Sequence, residues 1–316
     1  MANQKKLAII AIGGNSLIVD KGHQSVPDQY AAVEQTCTHI AGLVKRGYRV
    51  VITHGNGPQV GFILRRSELS RHELHDVPMD SCGADTQGAI GYQIQQAMMN
   101  ITRDWEQRPL TATIVTQVLV DRDDPSFQKP SKPIGSFMDK ETADDRKAKD
   151  KWDIVEDAGR GFRRVVASPI PKKILELDAI KRLLESDVVV VAVGGGGIPV
   201  VQDETGKVTG VAAVIDKDLA TSLLARDLEA DVFIISTAVD QVCLNFNKPN
   251  QQTLDRLTLA EAKKYMAEGH FAAGSMKPKI GAVIEFLESG GKQALITDPA
   301  HLVEALEGKA GTWIVA

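Results

Sequence analysis

Three apolar runs of β-forming residues in this chain each stop at a cluster of glycines. LAIIAIGGN ends at Gly13-Gly14-Asn15, YRVVITHGNGPQVG at Gly55-Asn56-Gly57, and DVVVVAVGGGGIPVV at Gly194 to Gly197. Val/Ile runs without polar alternation read as strands covered on both faces. Backbone without side chains at the end of such a strand lets a ligand approach the main chain. Where a helix follows, its first N–H groups favour an anion such as phosphate. The alternative at each cluster is a tight turn with no ligand. One turn of this kind carries little weight, but three imply a phosphate-handling site where strand ends converge.

The remaining pattern supplies the frame. Strands are expected over 7–12, 49–53, 111–120, 188–193, 232–237, 293–297 and 312–315. Helical spacing recurs over 28–46, 86–100, 175–185, 218–227, 259–267 and 279–289. Strand–helix alternation along the whole chain predicts an α/β fold, a mainly parallel sheet with helices on both faces. Ligands of such sheets bind beyond the carboxyl ends of the strands, where all three glycine clusters fall. One stretch departs from the alternation. Residues 121–174 are polar, charged and rich in turn formers, too long for a structureless loop in a compact domain. They read as a small subdomain inserted in, and protruding from, a single domain spanning 1–316, with a disordered linker as the alternative.

Composition narrows the function classes. With 37 Lys and Arg against 41 Asp and Glu, the net charge of −4 leaves no global footprint for nucleic acid. Any anion must therefore be recognised by local lysines and arginines. The three cysteines, Cys37, Cys82 and Cys243, are isolated and form no CxxC pair. This argues against a disulfide framework or zinc site and fits a reducing cytoplasm, with the thiols as small buried hydrophobes. The first residues lack the long apolar region of a signal peptide. The longest apolar stretch is broken by four glycines and a proline, so no membrane partner is expected.

The familiar phosphate signatures are missing. There is no GxxxxGK[ST], no GxGxxG opening a helix after the first strand, and no HRD or DFG set. Instead GGN at 13–15, HGNGPQVG at 54–61, TQGAIGY at 86–92, KPIG at 132–135, EDAGRGFRRVV at 156–166, GGGGIPV at 194–200, AVIDKD at 213–218 and GHFAAGSMKPKI at 269–280 occur in order. Together they resemble the carbamate kinases of the amino acid kinase superfamily, over about residues 7 to 315. The resemblance implies an open three-layer α/β/α sandwich with a protruding subdomain over the active site. It implies reversible phosphoryl transfer between ATP and carbamate, giving ADP and carbamoyl phosphate and commonly run toward ATP. Mg²⁺ would ride on the nucleotide phosphates, with no protein metal site, and the enzyme would be a homodimer.

Carbamate is already an anion with a nucleophilic oxygen, so the chemistry requires alignment and neutralisation of spread negative charge rather than a base. By the resemblance, Lys132 would reach the reacting group from the protruding segment, and Lys217 and Lys279 would flank the phosphates. The bland reading of a lone lysine is a solvated charge, but these three sit in glycine- or proline-rich motifs beside strand ends. Asp216 and Asp218 bracket Lys217. One is expected to cap the following helix, and the other, Asp218 by preference, to orient Lys217 or hold Mg²⁺ through water. Gly13, Gly14, Asn15, Gly55, Asn56 and Gly57 are implied to bind phosphate and carbamate, whereas Gly194–Gly197 is read as allowing close backbone packing beside Lys217 more than as a direct ligand. His54 reads as structural or as a polar support. Asp216, Asp240, Val242, Phe246 and Met276 are expected on the nucleotide, with the adenine near residues 240–246. Arg160, Arg163 and Arg164 suit either an anion or ion pairs with Glu156 and Asp157.

Ala238, Gln241, Ala273 and Lys277 depart from the usual family pattern on the nucleotide side but remove no phosphate-binding group. Two rivals remain at this level. One is a superfamily relative acting on an amino acid or nucleotide. The other is a catalytically altered carbamate kinase-like partner of a carbamoyltransferase.

Overall fold

Within the first strand, Ala8, Ile10 and Ile12 face one side while Leu7, Ile9 and Ala11 face the other, and all six are buried. Successive strand side chains alternate between faces, so a strand buried on both must carry a helical layer on each. A computed structural model, which describes residues 5–14, 17–18, 22–157, 161–272 and 275–316, has that arrangement.

Along the chain come β1 (Leu7–Ile12), α1 (Val26–Lys45), β2 (Arg49–His54), α2 (Gly57–Ser70), α3 (Met79–Ile101), β3 (Thr111–Thr113), β4 (Gln117–Val120), β5 (Lys132–Met138), α4 (Lys140–Asp150), β6 (Asp153–Asp157), β7 (Gly161–Val166) and β8 (Pro171–Ile174). There follow α5 (Leu177–Glu185), β9 (Val189–Val191), β10 (Ile198–Gln202), β11 (Val208–Gly210), α6 (Lys217–Asp227), β12 (Val232–Ser236), β13 (Val242–Leu244), β14 (Gln252–Leu254), β15 (Arg256–Thr258), α7 (Leu259–Ala267), α8 (Met276–Glu288), β16 (Gln293–Thr297), α9 (Leu302–Leu306) and β17 (Thr312–Val315).

The main sheet has the order β15-β17-β16-β12-β1-β2-β9-β3. From β16 to β3 every pairing is parallel, and β17 runs antiparallel to β16. Helices α1, α3 and α9 bury Val33, Ile40, Ile94, Met98 and Leu302 against one face. Helices α5 to α8 bury Ile180, Leu224, Ala262 and Phe286 against the other. Phe286 meets Phe233 of β12 edge to face, with ring centroids 5.5 Å apart. Among the described residues no helix is long and apolar enough to cross a membrane.

The single strand expected over 111–120 is two strands in two sheets. The reason lies in side-chain hydrogen bonds that take over the ladder. Gln87 of α3 accepts from the Thr116 N–H at 2.7 Å and donates to the Thr116 carbonyl at 3.1 Å. Thr116 Oγ1 in turn accepts from the Val193 N–H at 3.0 Å. With these groups taken, the chain leaves β9 after β3 and joins β10 in a four-stranded sheet, β11-β10-β4-β8. The 121–174 segment contains a separate antiparallel sheet, β5-β7-β6, with α4 inserted between β5 and β6. Its last strand, β8, belongs instead to the four-stranded sheet, paired with β4. Cys37 and Cys82 are buried, and burial pushes their thiols up to about 12 and about 11; Cys243 is half-exposed.

Candidate active site

Strands β1 and β2 run parallel in register, Ile12 beside His54, so their glycine turns emerge side by side. The Gly55 N–H donates to the Ile12 carbonyl at 3.2 Å, locking the two exits together. Beyond them opens a cleft of about 940 Å³. Gly14, Gly55, Asn56, Gly57, Lys132, Asp216, Lys217, Asp218 and Lys279 all line it. Helices α2, α6 and α8 each begin at this cleft, at Gly57, Lys217 and Met276. Their positive ends and free N–H groups favour a bound anion. Gly13 sits just behind the wall; a Cβ there would lie 3.1 Å from the Ser236 carbonyl oxygen of β12.

The charged groups form one network. Asp216 is the cap of α6, its Oδ1 accepting from the Asp218 N–H at 2.9 Å, while its Oδ2 accepts from Lys132 Nζ at 2.7 Å. Asp218 accepts from Lys217 Nζ at 2.6 Å and from Lys279 Nζ at 3.5 Å. Burial, at 3% exposure, pushes the Asp218 carboxyl up, but the two ammonium groups outweigh it and hold it below its ordinary value. It stays a carboxylate at neutral pH. Thr221 Oγ1 donates to the Lys217 carbonyl at 2.6 Å and lies 2.7 Å from Thr53 Oγ1, tying the first turn of α6 to β2. Lys132 comes from β5 and Lys217 from α6, so the three-stranded sheet and a helix packed on the main sheet each supply a cation to one cleft.

His54 is fully buried behind this wall. Burial, reinforced by Lys217, lowers its pKa to about 4 against the opposing contact with Gly55. The Gly55 carbonyl lies 2.8 Å from Nδ1. A carbonyl can only accept, so Nδ1 carries the proton and the ring is neutral at pH 7. Gly194–Gly197 packs directly against these groups. Added Cβ atoms would fall 2.4 Å from His54 Nε2, 2.4 Å from Asn56 Nδ2, 2.5 Å from the Ile215 carbonyl oxygen and 2.2 Å from Val118 Cγ2, respectively. This third glycine cluster therefore serves close packing, and only Gly195 of the four reaches the cleft surface. Gln87 donates to the Gly194 carbonyl at 2.9 Å, and Asn56 Nδ2 donates to Thr86 Oγ1 at 3.3 Å, so α3 holds both the turn and the asparagine.

Of the residues expected on the nucleotide, Asp216 lines the lysine cleft and the other four do not. Asp240 accepts from Thr297 Oγ1 at 3.2 Å and from the Gly311 N–H at 3.1 Å. Val242 is buried in β13, its N–H donating to Thr312 Oγ1 at 2.8 Å. Phe246 is exposed, and Met276 packs against the core. Asp240 and Val242 are thus held by β16, β17 and the turn before β17, while Met276 opens α8 beside the lysine cleft without lining it. Gln241, one of the departures, is tied to Asp255 Oδ1 and the Gly311 carbonyl. Arg163 lines the cleft and donates to the Gly135 carbonyl at 3.1 Å. Arg164 instead stacks over Trp152, 4.5 Å from the ring centroid. Asn15, Arg160 and Ala273 lie outside the described residues. Ser131, Ser168 and Ser275 also face the cleft. In the sequence, Ser131 has only its place before Lys132 as a signal, and Ser168 only its place before a proline.

The acidic oxygens here are engaged by lysines, and among the described residues no group of three His, Cys, Asp or Glu could hold a metal ion by itself. Such a donor set fits Mg²⁺ that arrives on phosphate oxygens, since Mg²⁺ keeps several waters and needs at most one or two carboxylates.

Residues 6–298 match the amino acid kinase family. The chain is 51% identical over 315 residues to the carbamate kinase-like protein YahI of Escherichia coli (strain K12), covering 98% of this chain and 99% of that one. It is 48% identical to the carbamate kinase of Thermococcus kodakarensis, with 98% and 99% covered. Carbamate kinase from Giardia lamblia bound to AMP-PNP superposes with a TM-score of 0.92 at 42% identity, covering 99% of each chain. The chain belongs to the amino acid kinase family, and within it to the carbamate kinases.

Proposed function

We propose that this protein is a carbamate kinase, transferring a phosphoryl group reversibly between ATP and carbamate. In the forward direction a carbamate oxygen attacks the γ-phosphorus, the bond to the β-bridging oxygen breaks with its electron pair leaving on ADP, and carbamoyl phosphate forms. The observation that carries this reading is the convergence of Lys132, Lys217 and Lys279 on one cleft floored by glycine turns and three helix starts. Phosphoryl transfer needs that kind of preorganised positive field.

In this reading Lys217 and Lys279 flank the transferred phosphoryl, and Asp218 holds both ammonium groups in place. Lys132 exchanges Asp216 for the reacting group when substrate arrives. The N–H groups around Gly13, Gly14, Asn15, Gly55, Asn56 and Gly57 cradle phosphate and carbamate. The neutral, buried His54 supports the wall and moves no proton, in keeping with a nucleophile that needs no base. Asp240, Val242, Phe246 and Met276 mark the adenine side, and Asp216, in the lysine cleft, meets the nucleotide from the phosphate side. Mg²⁺ bound to the nucleotide would neutralise phosphate oxygens. The β5-β7-β6 sheet acts as a protruding subdomain over the cleft. A cytoplasmic homodimer working toward ATP in a catabolic pathway completes the proposal. The test is ATP formation from ADP and carbamoyl phosphate by purified protein with Mg²⁺. Turnover is expected; its absence would favour the non-catalytic partner of a carbamoyltransferase.

A further inference from the structure

Asn56 occupies the cap position of α2, where an asparagine oxygen ordinarily accepts from the first helical N–H groups. Here the side chain makes no such bond. Its amide is turned instead by α3. Thr86, at 1% exposure, donates its hydroxyl to the Gly83 carbonyl at 2.7 Å. A carbonyl only accepts, so the hydroxyl proton is spent there and Thr86 Oγ1 is left as an acceptor. Asn56 must meet it with its NH₂ group, and Nδ2 lies 3.3 Å away. Gly195 packs on the same end of the amide, where a Cβ would fall 2.4 Å from Nδ2. Oδ1 is thereby held on the other arm. It is neither paired with a described residue nor sealed from solvent, and Asn56 lines the lysine cleft.

A bare acceptor in a cleft built for anions requires a donor on the substrate. Phosphate oxygens and the carboxylate of carbamate are acceptors and offer none; the amino group of carbamate offers two N–H bonds. Given the carbamate kinase reading, on which this step rests, we infer that Asn56 Oδ1 accepts from that amino group and that Thr86 is the positioning residue that fixes the amide for it. In the flipped orientation Asn56 would set N–H against N–H, and the Gly83–Thr86 contact is what disfavours it. Thr86 does not touch the substrate. Acting through Asn56, it sets the preference for a carbamoyl over an acyl group, because a site with a polar atom placed for an N–H loses that bond to an analogue without one.

The test compares carbamoyl phosphate with acetyl phosphate, which carries a methyl group in place of the amino group. Carbamoyl phosphate is scored by kcat/KM for ATP formation. Acetyl phosphate is scored by its inhibition constant against carbamoyl phosphate consumption, so it need not turn over. Thr86→Val keeps the shape of the side chain, removes the hydroxyl and frees the amide to flip. It is expected to lower kcat/KM for carbamoyl phosphate by about tenfold, as for one lost hydrogen bond, and to change the acetyl phosphate constant by less than about twofold. Thr86→Ser should restore the unaltered values. Thr86→Ala takes the place of Thr86→Val if the latter does not fold. Equal weakening towards both compounds, no loss without the hydroxyl, or no recovery in Thr86→Ser would overturn the inference and leave the carbamate kinase reading intact. No turnover of carbamoyl phosphate by the unaltered protein would overturn that reading, and the inference with it.

Discussion

Lys132 Nζ and Asp216 Oδ2 stand 2.7 Å apart although they lie 84 residues apart in the chain and on different layers of the molecule. The same carboxylate caps α6 through its other oxygen. One residue thus sets the start of the helix that carries Lys217 and also holds the lysine contributed by the three-stranded sheet.

If Lys132 serves the reacting group, Lys132→Met should lower kcat by about 10²–10³, the usual cost of losing one preorganised donor to a charged transition state. Stability should barely change, because partly exposed ion pairs contribute about 0–1 kcal/mol. Steady-state ATP formation beside a thermal melt separates the two effects.

Asp218→Asn should do both kinds of damage. It leaves Lys217 and Lys279 facing each other across a nearly buried site. Removing one partner of a buried ionic cluster costs roughly 3–5 kcal/mol. Because the folded-state pKa of Asp218 is lowered, its contribution is present above the ordinary carboxylate range and lost as pH falls through the folded value. Urea unfolding at several pH values should show the variant less stable at neutral pH and with a shallower loss towards acid.

His54 gives a second acid limb. Its pKa falls from 6.5 to about 4 on folding, so between those values the unfolded chain binds more protons and stability declines as pH drops. A shift of that size, at about 1.4 kcal/mol per unit, amounts to about 3 kcal/mol. His54→Gln should flatten this part of the stability profile. The pH dependence of kcat near neutrality should not acquire or lose a limb, since the ring is already neutral there.

Gly196→Ala should be poorly tolerated. Gly196 has φ +93°, and an added Cβ would lie 2.5 Å from the Ile215 carbonyl oxygen, a backbone atom that cannot swing aside. Backbone strain of this kind costs on the order of 1–3 kcal/mol. It would also displace the segment leading into Asp216 and Lys217, so both melting temperature and turnover should fall.

Chelation offers a test of where the metal is carried. With Mg²⁺ brought by the nucleotide, EDTA should abolish turnover yet leave the melting temperature of the nucleotide-free protein unchanged. A fall in that temperature would point to a metal held by the protein itself.

Much of this was legible in the chain. Unbroken Val/Ile runs determined that strands such as β1 and β2 would be buried on both faces, and their glycine endings marked the edge at which a cleft would open. The motif lysines were visible as residues beside strand ends, because local sequence reports backbone conformation and position along an element. Their partners were not. That Asp216 would reach Lys132, that Asp218 would bridge Lys217 and Lys279, and that the close packing expected of Gly194–Gly197 would be against His54 and Asn56, all depend on contacts between distant segments. The break between β3 and β4 has the same origin. Propensity favours one long strand, but Gln87, brought in by α3, takes the hydrogen bonds that would have continued it. Periodicity records which side of an element is apolar; only tertiary packing decides which polar groups find one another.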